Sequence, residues 1–347
     1  MGKTIDFQKA ARKEKQKQEN RLWRTLLDCL SAITAMHPWT QVDAGAPFAY
    51  IPEDGEKLIL FHCVQDAPDS MGILVFPSPK DYPADSGEKT TAREDARAFI
   101  EMEQYSVFLT RREEVPDEMQ KIYRRLELDC KDGLWPWVIH KRRGYLGRVP
   151  EGDDLAFLLD CLGNFHMELK ALEAGSSKPD FANGEMLLRY YSPDDKLWMN
   201  MIAPFFLPQG LPHPTIFRED SPKLRELRTL PAADTVRRVE FDFGWLGEPV
   251  QDKADDEPYF PAQVVLTDRQ TGEVLCLYHC SPDDLMDCAF TSWSEVLHAH
   301  GLPETLYVCR NDSYDLFEDF AQKLGVKLKR VKRLPAAERV LRHLGAV

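Results

Sequence analysis

Three extended runs in succession, then helix, strand, helix, strand and helix: after residue 232 this order restricts the chain to one mixed sheet covered by helices. Val239, Phe241 and Phe243 alternate onto one face of the first strand. Runs at 262–267 and 273–280 flank Asp268-Arg269-Gln270-Thr271-Gly272, a hairpin with its glycine in the turn. Ser281-Pro282-Asp283-Asp284 opens a helix with cap, proline and acids in order, and Leu285, Ala289, Trp293, Val296 and Leu297 form its buried stripe up to Gly301. A strand at 305–309, a helix at 313–324 closed by Gly325, a strand at 326–329 and a helix at 335–344 complete the order β-β-β-α-β-α-β-α.

The first 203 residues follow a different pattern. Residues 1–20 are rich in Lys, Gln and Glu and read as a basic arm, frayed helix or disorder. Leu22, Leu26, Leu27, Leu30 and Ile33 recur at helical spacing before Pro38. Strands are expected at 47–51, 57–64, 71–76 and 105–110, helices at 91–102, 116–128 and 155–172, and a hairpin at 186–191 and 196–202. Trp135-Pro136-Trp137 and Lys141-Arg142-Arg143-Gly144-Tyr145 read as an aromatic, basic loop. Six prolines fall between 204 and 231, which places a connector there. The expected organisation is therefore a basic arm (1–20), an α+β domain (21–203), a Pro-rich connector (204–232) and an α/β domain (233–347).

Charge is partitioned along the chain. Residues 1–24 carry a net +5 and residues 323–347 a net +7, so the whole-chain −13 leaves −25 on the body between them. An acidic body disfavours a surface that coats nucleic acid, whereas the basic C-terminal end is compatible with phosphate contact. No apolar stretch reaches the roughly 20 residues of a membrane span, and the polar N-terminus lacks the core of a signal peptide. The eight cysteines show no paired framework, so reduced thiols and a cytoplasmic location are expected. Cys276, His279, Cys280 and Cys288 raise the question of zinc. Four strand residues span about 13 Å, however, and His279 would project from the opposite face.

The run Gly301-Leu302-Pro303-Glu304-Thr305-Leu306-Tyr307-Val308-Cys309-Arg310-Asn311-Asp312, followed by a helix and Leu324-Gly325-Val326, resembles the corresponding stretch of integrase and transposase cores. The strand and helix order over about 237–344 is likewise similar to ribonuclease H-like domains. The resemblance implies a carboxylate triad holding Mg²⁺ or Mn²⁺ at Asp242, Asp312 and Glu338, and two-metal phosphodiester hydrolysis or strand transfer. Three departures stand against it. Tyr314 replaces the motif glycine, the interval from Asp312 to Glu338 is short, and Glu295 faces solvent rather than a helix-borne acid position. Over its whole length the chain also resembles a bacterial two-domain family with a domain of unknown function in each half. That similarity rests on Tyr105-Ser106-Val107-Phe108-Leu109-Thr110, Trp135-Pro136-Trp137 and Arg143-Gly144-Tyr145 in the first half. In the second it rests on Gly272-Glu273-Val274-Leu275 and Lys329-Arg330-Val331-Lys332-Arg333-Leu334-Pro335.

Each candidate residue has a structural reading beside the chemical one. Asp242 shares a strand face with Glu240 and reads as a solvated face or a metal ligand; Asp312 as a helix cap or a ligand; Glu338 as a dipole-favoured first-turn acid or a ligand. Lys327, Lys329, Arg330, Lys332 and Arg333 read as a phosphate-contacting patch or as charges guarding an edge strand. Trp135, Trp137, Arg142 and Arg143 read as a binding loop or as a loop anchored on the core. The function expected from the sequence is non-catalytic binding or regulation by a degenerate ribonuclease H-like domain. The alternatives are a metal-dependent nuclease or strand-transfer enzyme and a protein-interaction scaffold. Partners compatible with these readings are another protein or, at the basic end, a weakly held nucleic acid, with no membrane.

Overall fold

The computed structural model describes residues 2–42, 46–67, 70–83, 91–128, 134–207, 221–253 and 256–347. Cys130 and most of the expected connector, residues 208–220, lie outside them. The chain forms two compact units. One comprises residues 1–86, 103–142 and 147–208; the other comprises 87–102, 143–146 and 209–347.

The first unit begins with α1 (Gly2–Ala35), one continuous helix through the basic arm and the segment expected from residue 22. Trp23, Leu26, Leu30 and Ile33 recur at three- and four-residue spacing and are buried, which turns this stripe onto the core. A single turn, α2 (Pro38–Gln41), leads to β1 (Phe48–Ile51), β2 (Ile59–Ala67) and β3 (Ser70–Phe76). The next helix, α3 (Ala92–Glu101), belongs to the second unit. β4 (Gln104–Thr110), α4 (Asp117–Leu126), β5 (Trp135–Lys141), α5 (Gly152–Glu173), β6 (Glu185–Ser192) and β7 (Leu197–Pro204) complete the first. Its seven strands lie in the order β5-β4-β3-β2-β1-β6-β7, antiparallel throughout except for the parallel pair β1 and β6. Phe48, Phe61, Val75, Val107, Val138 and Leu187 share the face covered by α1, α4 and α5.

The Trp-Pro-Trp segment corrects the expected loop. It is β5, paired with β4 from Gln104↔Lys141 to Thr110↔Trp135. Pro136 lacks an N–H, and an edge strand is where a sheet tolerates that loss. Trp135 is buried edge-on against Tyr123, whereas Trp137 packs on Phe108.

The second unit contains α6 (Pro222–Leu227), β8 (Arg238–Trp245), β9 (Ala262–Asp268), β10 (Val274–Cys280), α7 (Leu285–His300), β11 (Thr305–Val308), α8 (Asn311–Leu324), β12 (Lys327–Arg330) and α9 (Pro335–His343). Its sheet runs β10-β9-β8-β11-β12; β8, β9 and β10 form an antiparallel meander, and β8, β11 and β12 are parallel. Val239, Phe241, Phe243, Val264, Leu266, Leu306 and Val308 make a core with Trp293, Phe317 and Phe320 of the helices. Ile100 of α3 is buried in that same core.

The second sheet face carries the second correction. Glu240 and Asp242 are not solvated but 0% and 5% exposed. Helix α9 returns over this face, and Leu334, Ala337 and Leu341 pack there with Val265. Glu240 serves that docking directly: its carboxylate accepts the Ala336 and Ala337 N–H groups at 2.9 and 3.0 Å, the donors left open at a helix start. Arg269 supplies the counter-charge at 2.6 Å and lies over the ring of Tyr307.

Candidate functional site

In an open sheet with parallel strands, side chains converge beyond the carboxyl ends, at the point where the strand order reverses. Here that point lies between β8 and β11, because β9 and β10 extend from one side of β8 and β11 and β12 from the other. Asp242 of β8, Cys309 and Arg310 after β11, and Glu101 at the end of α3 meet there. Gly144 brings the 143–146 segment alongside. It adopts φ +79°, and a Cβ on it would stand 2.6 Å from Pro282 and 2.9 Å from the Trp245 ring, so only glycine fits without strain.

Arg310 is the centre of this arrangement, with its side chain only 9% exposed. It donates to the Glu101 carboxylate at 2.5 Å and to the Phe243 carbonyl at 2.6 Å, and its guanidinium lies 3.8 Å over the Phe243 ring. Its Nε is 3.3 Å from Asp242 Oδ1. Glu101 also accepts from the Trp245 indole at 3.0 Å and from Arg97 at 3.2 Å. The result is a mixed-charge network of arginines and carboxylates closed on itself.

Asp242 accepts the Phe243 N–H at 2.9 Å. Burial pushes its carboxyl up from the ordinary 3.8 to about 6, while Arg97, the Phe243 amide and the Cys309 thiol pull it back and Glu338 adds to the rise. The Cys309 thiol is itself pushed up to about 12, first by burial and then by Asp242. Asp312 is half exposed and pairs with Arg143 at 2.7 Å. Helix α8 starts at Asn311 with Arg310 as its N-cap residue, so Asp312 lies inside the first turn and does not cap. Glu338 is held by Arg333 at 2.8 Å and accepts the Leu334 N–H at 3.1 Å. The Arg333 hydrogen bond is the largest influence holding its carboxyl below the usual range.

The structure thus brings Asp242 and Glu338 within electrostatic reach of one another, with Cys309 beside Asp242, and gives each of the three sequence candidates its own arginine. Among the described residues no three His, Cys, Asp or Glu side chains are grouped to hold a metal ion. The residues present do not fit Mg²⁺ or Mn²⁺, because a guanidinium stands against the buried carboxylate that would have to be the first ligand.

The other candidates separate. Lys327, Lys329 and Arg330 lie on β12, the edge strand, with Lys329 near the Tyr307 ring and Arg330 bonded to Asn311. Lys332 and Arg333 follow in the exposed link to α9. Arg333, Pro335, Glu338, Arg339, Arg342 and His343 line an open hollow of about 520 Å³. Arg142 groups with the first unit and Arg143 with the second.

Residue order alone does not point to Glu101 or Arg97. Glu240 is detectable from its shared face with Asp242, since two acids on a strand that alternates with aromatics need partners if a helix returns over them. Glu101 stands 209 residues from Arg310 and leaves no such signal.

Fold and site together define the second unit as a mixed α/β domain with an arginine-neutralised acidic centre. Residues 223–345, about a third of the chain, match the model of a family described as Domain of unknown function (DUF6930). The match begins in α6 and takes in the whole five-stranded sheet. No curated protein matches the chain. Among the described residues no helix is long and apolar enough to cross a membrane.

Proposed function

We propose that the second unit is a non-catalytic binding domain on a ribonuclease H-like framework, and that the protein works by binding rather than by hydrolysis. On this reading the chain is a cytoplasmic member of the bacterial two-domain family it resembles. The observation that carries it is Arg310. In a metal-dependent relative the ground beside the first-strand aspartate is held by a divalent cation; here a guanidinium stands 3.3 Å from Asp242 and is bound at the same time to Glu101. Arg143 does the same for Asp312.

The ligand chemistry that suits this unit is a phosphate backbone, met at the hollow between Arg333, Arg339, Arg342 and His343. Arg333 is 70% exposed, so its head can exchange Glu338 for a phosphate at little cost.

The test has two arms on the full chain. Labelled single- and double-stranded DNA and RNA are incubated with Mn²⁺ or Mg²⁺, and no cleavage is expected. Metal-dependent cleavage that Asp242→Asn abolishes would overturn the reading in favour of the triad nuclease. Binding of the same oligonucleotides is then followed across a salt series. The logarithmic slope should fall by up to about 0.9 for each arginine replaced in Arg333→Gln, Arg339→Gln and Arg342→Gln. A slope unchanged by all three would remove phosphate as the ligand.

A further inference from the structure

The packing of helix α1 is confined to its second half. Trp23, Leu26, Leu30 and Ile33 dock it on the core of the first unit, whereas every residue from Lys9 to Gln18 is exposed. About 15 Å of helix therefore stands without burial.

Its charges work against it as well. Lys9, Lys13, Lys17 and Arg21 succeed one another at four-residue steps, Arg24 follows three residues on, and all five are exposed. Like charges at these spacings are neighbours on a helix and weaken it. Acids do not relieve them: among the described residues Lys13, Lys17 and Arg21 form no ion pair. Glu19 is instead committed to Arg125 of α4 at 2.8 Å. Lys13, Gln16, Lys17, Asn20, Arg21 and Arg24 line one shallow trough along the helix, turned away from the Trp23 and Leu26 stripe. Arg24 donates to the Leu126 carbonyl at 2.8 Å and so ties the end of the trough to α4. A ladder of cations that opposes its own helix becomes favourable when a polyanion lies along it.

The rest of the segment narrows the choice of polyanion. Between residues 9 and 22 there is no aromatic side chain, so the stacking platform that grips single strands is missing. Residues 9–18 hold no apolar side chain larger than alanine, so there is nothing to insert into a bilayer. From Lys9 to Arg24 the ladder runs about 22 Å, the length of roughly six base pairs at about 3.4 Å each. A helix of about 10–12 Å with its side chains is admitted by the major groove of B-form DNA and not by the narrow one of A-form RNA.

We infer that the exposed face of α1 is an interaction surface for duplex DNA, held through its phosphates by Lys9, Lys13, Lys17 and Arg21. The contacts are to the backbone, so the binding is independent of base sequence. This surface belongs to the first unit, and it stands whether or not the arginine hollow of the second unit takes a phosphate.

The full-length protein is titrated against a labelled DNA duplex of mixed sequence, its single strand and the RNA duplex, each across a salt series. Vesicles of phosphatidylserine and phosphatidylcholine are the fourth probe. The DNA duplex should bind most tightly. Replacing all four residues, Lys9→Gln, Lys13→Gln, Lys17→Gln and Arg21→Gln, should weaken it at least tenfold at low salt and make the logarithmic slope shallower by up to about 0.9 per cation. Glutamine is a good helix former, so the circular dichroism should persist, and Lys13→Arg with Lys17→Arg should bind as wild type does. Hydrogen exchange of the amides at 13–18 should slow when the duplex is added. A slope that the four replacements leave unchanged overturns the inference, and so does tighter binding of the single strand, the RNA duplex or the vesicles. A slope that responds to Arg333→Gln, Arg339→Gln and Arg342→Gln alone likewise overturns it and leaves the hollow standing; a response to the α1 set alone upholds α1 and removes the hollow.

Discussion

Replacing Asp242 by asparagine tests the electrostatics of the second unit where they are most extreme. The carboxyl is 5% exposed and its proton is held to about pH 6 rather than 3.8, chiefly by burial. At about 1.36 kcal/mol per tenfold in affinity, that displacement corresponds to about 3 kcal/mol between the protonated and ionised forms. Because the folded state binds the proton more tightly than the unfolded chain, the associated stability is fully present below pH 3.8 and is lost as pH rises through 6. The asparagine side chain has no proton to lose and keeps an acceptor for the Phe243 N–H, and Arg310 retains Glu101 and the Phe243 carbonyl. Urea denaturation followed by tryptophan fluorescence at about pH 4 to 8 therefore has a simple expectation. Relative to wild type, Asp242→Asn should gain about 3 kcal/mol between the two ends of the range, most of it between about pH 4 and 6.5. Carboxyl carbon chemical shifts give the midpoint directly. A difference that stays flat with pH, or a variant that loses ground as pH rises, would mean that Arg310 governs Asp242 more strongly than burial does. The account of a raised carboxyl would then be wrong.

Glu240→Ala should cost about 3–5 kcal/mol, because it leaves Arg269 unpaired and two helix-start amides open in a buried place. Hydrogen exchange should show the α9 amides of Ala336 and Ala337 losing protection first. His62, boxed by Phe76 and Tyr82, is pushed down to about 4 by burial. The stability it contributes is present above pH 6.5 and lost as pH falls towards 4, by about 3 kcal/mol in all, so His62→Phe should flatten the acid limb of the denaturation profile. Gly144→Ala should lower the melting temperature through about 1–3 kcal/mol of backbone strain and the clash with Pro282. An unchanged melt would show that the 143–146 segment is free to shift.

The strands and helices are largely legible in the chain because local physics writes them. The alternation of Val239, Phe241 and Phe243, the Thr271-Gly272 turn, Gly301 and Gly325 each mark an element that the structure contains within a few residues. Pro136 misleads in the opposite direction: it reads as a loop, yet an edge strand accommodates it at no lost ladder bond. The site is much less legible. Asp242 stands out as an acid on a central strand, but its meaning depends on Arg310, and the meaning of Arg310 depends on Glu101. That carboxylate comes from a helix far upstream, and no periodicity or motif links residues so distant in sequence. The burial of Glu240 likewise follows from α9 returning over the sheet, a tertiary event that a strand pattern does not encode.

The second unit is not contiguous in the gene, and this has a consequence for how it can be inherited. Everything from α6 to α9 supplies the sheet, but Ile100 fills its core, Glu101 anchors both Arg310 and the Trp245 indole, and the Gly144 amide and carbonyl bond to Ile100 and Phe260. A fragment that starts at residue 221 would keep every strand and expose an orphaned arginine and an unfilled apolar notch. A fragment carrying only the matched stretch, 223–345, therefore needs substitutes for Ile100 and Glu101 to close the same core and to pair Arg310.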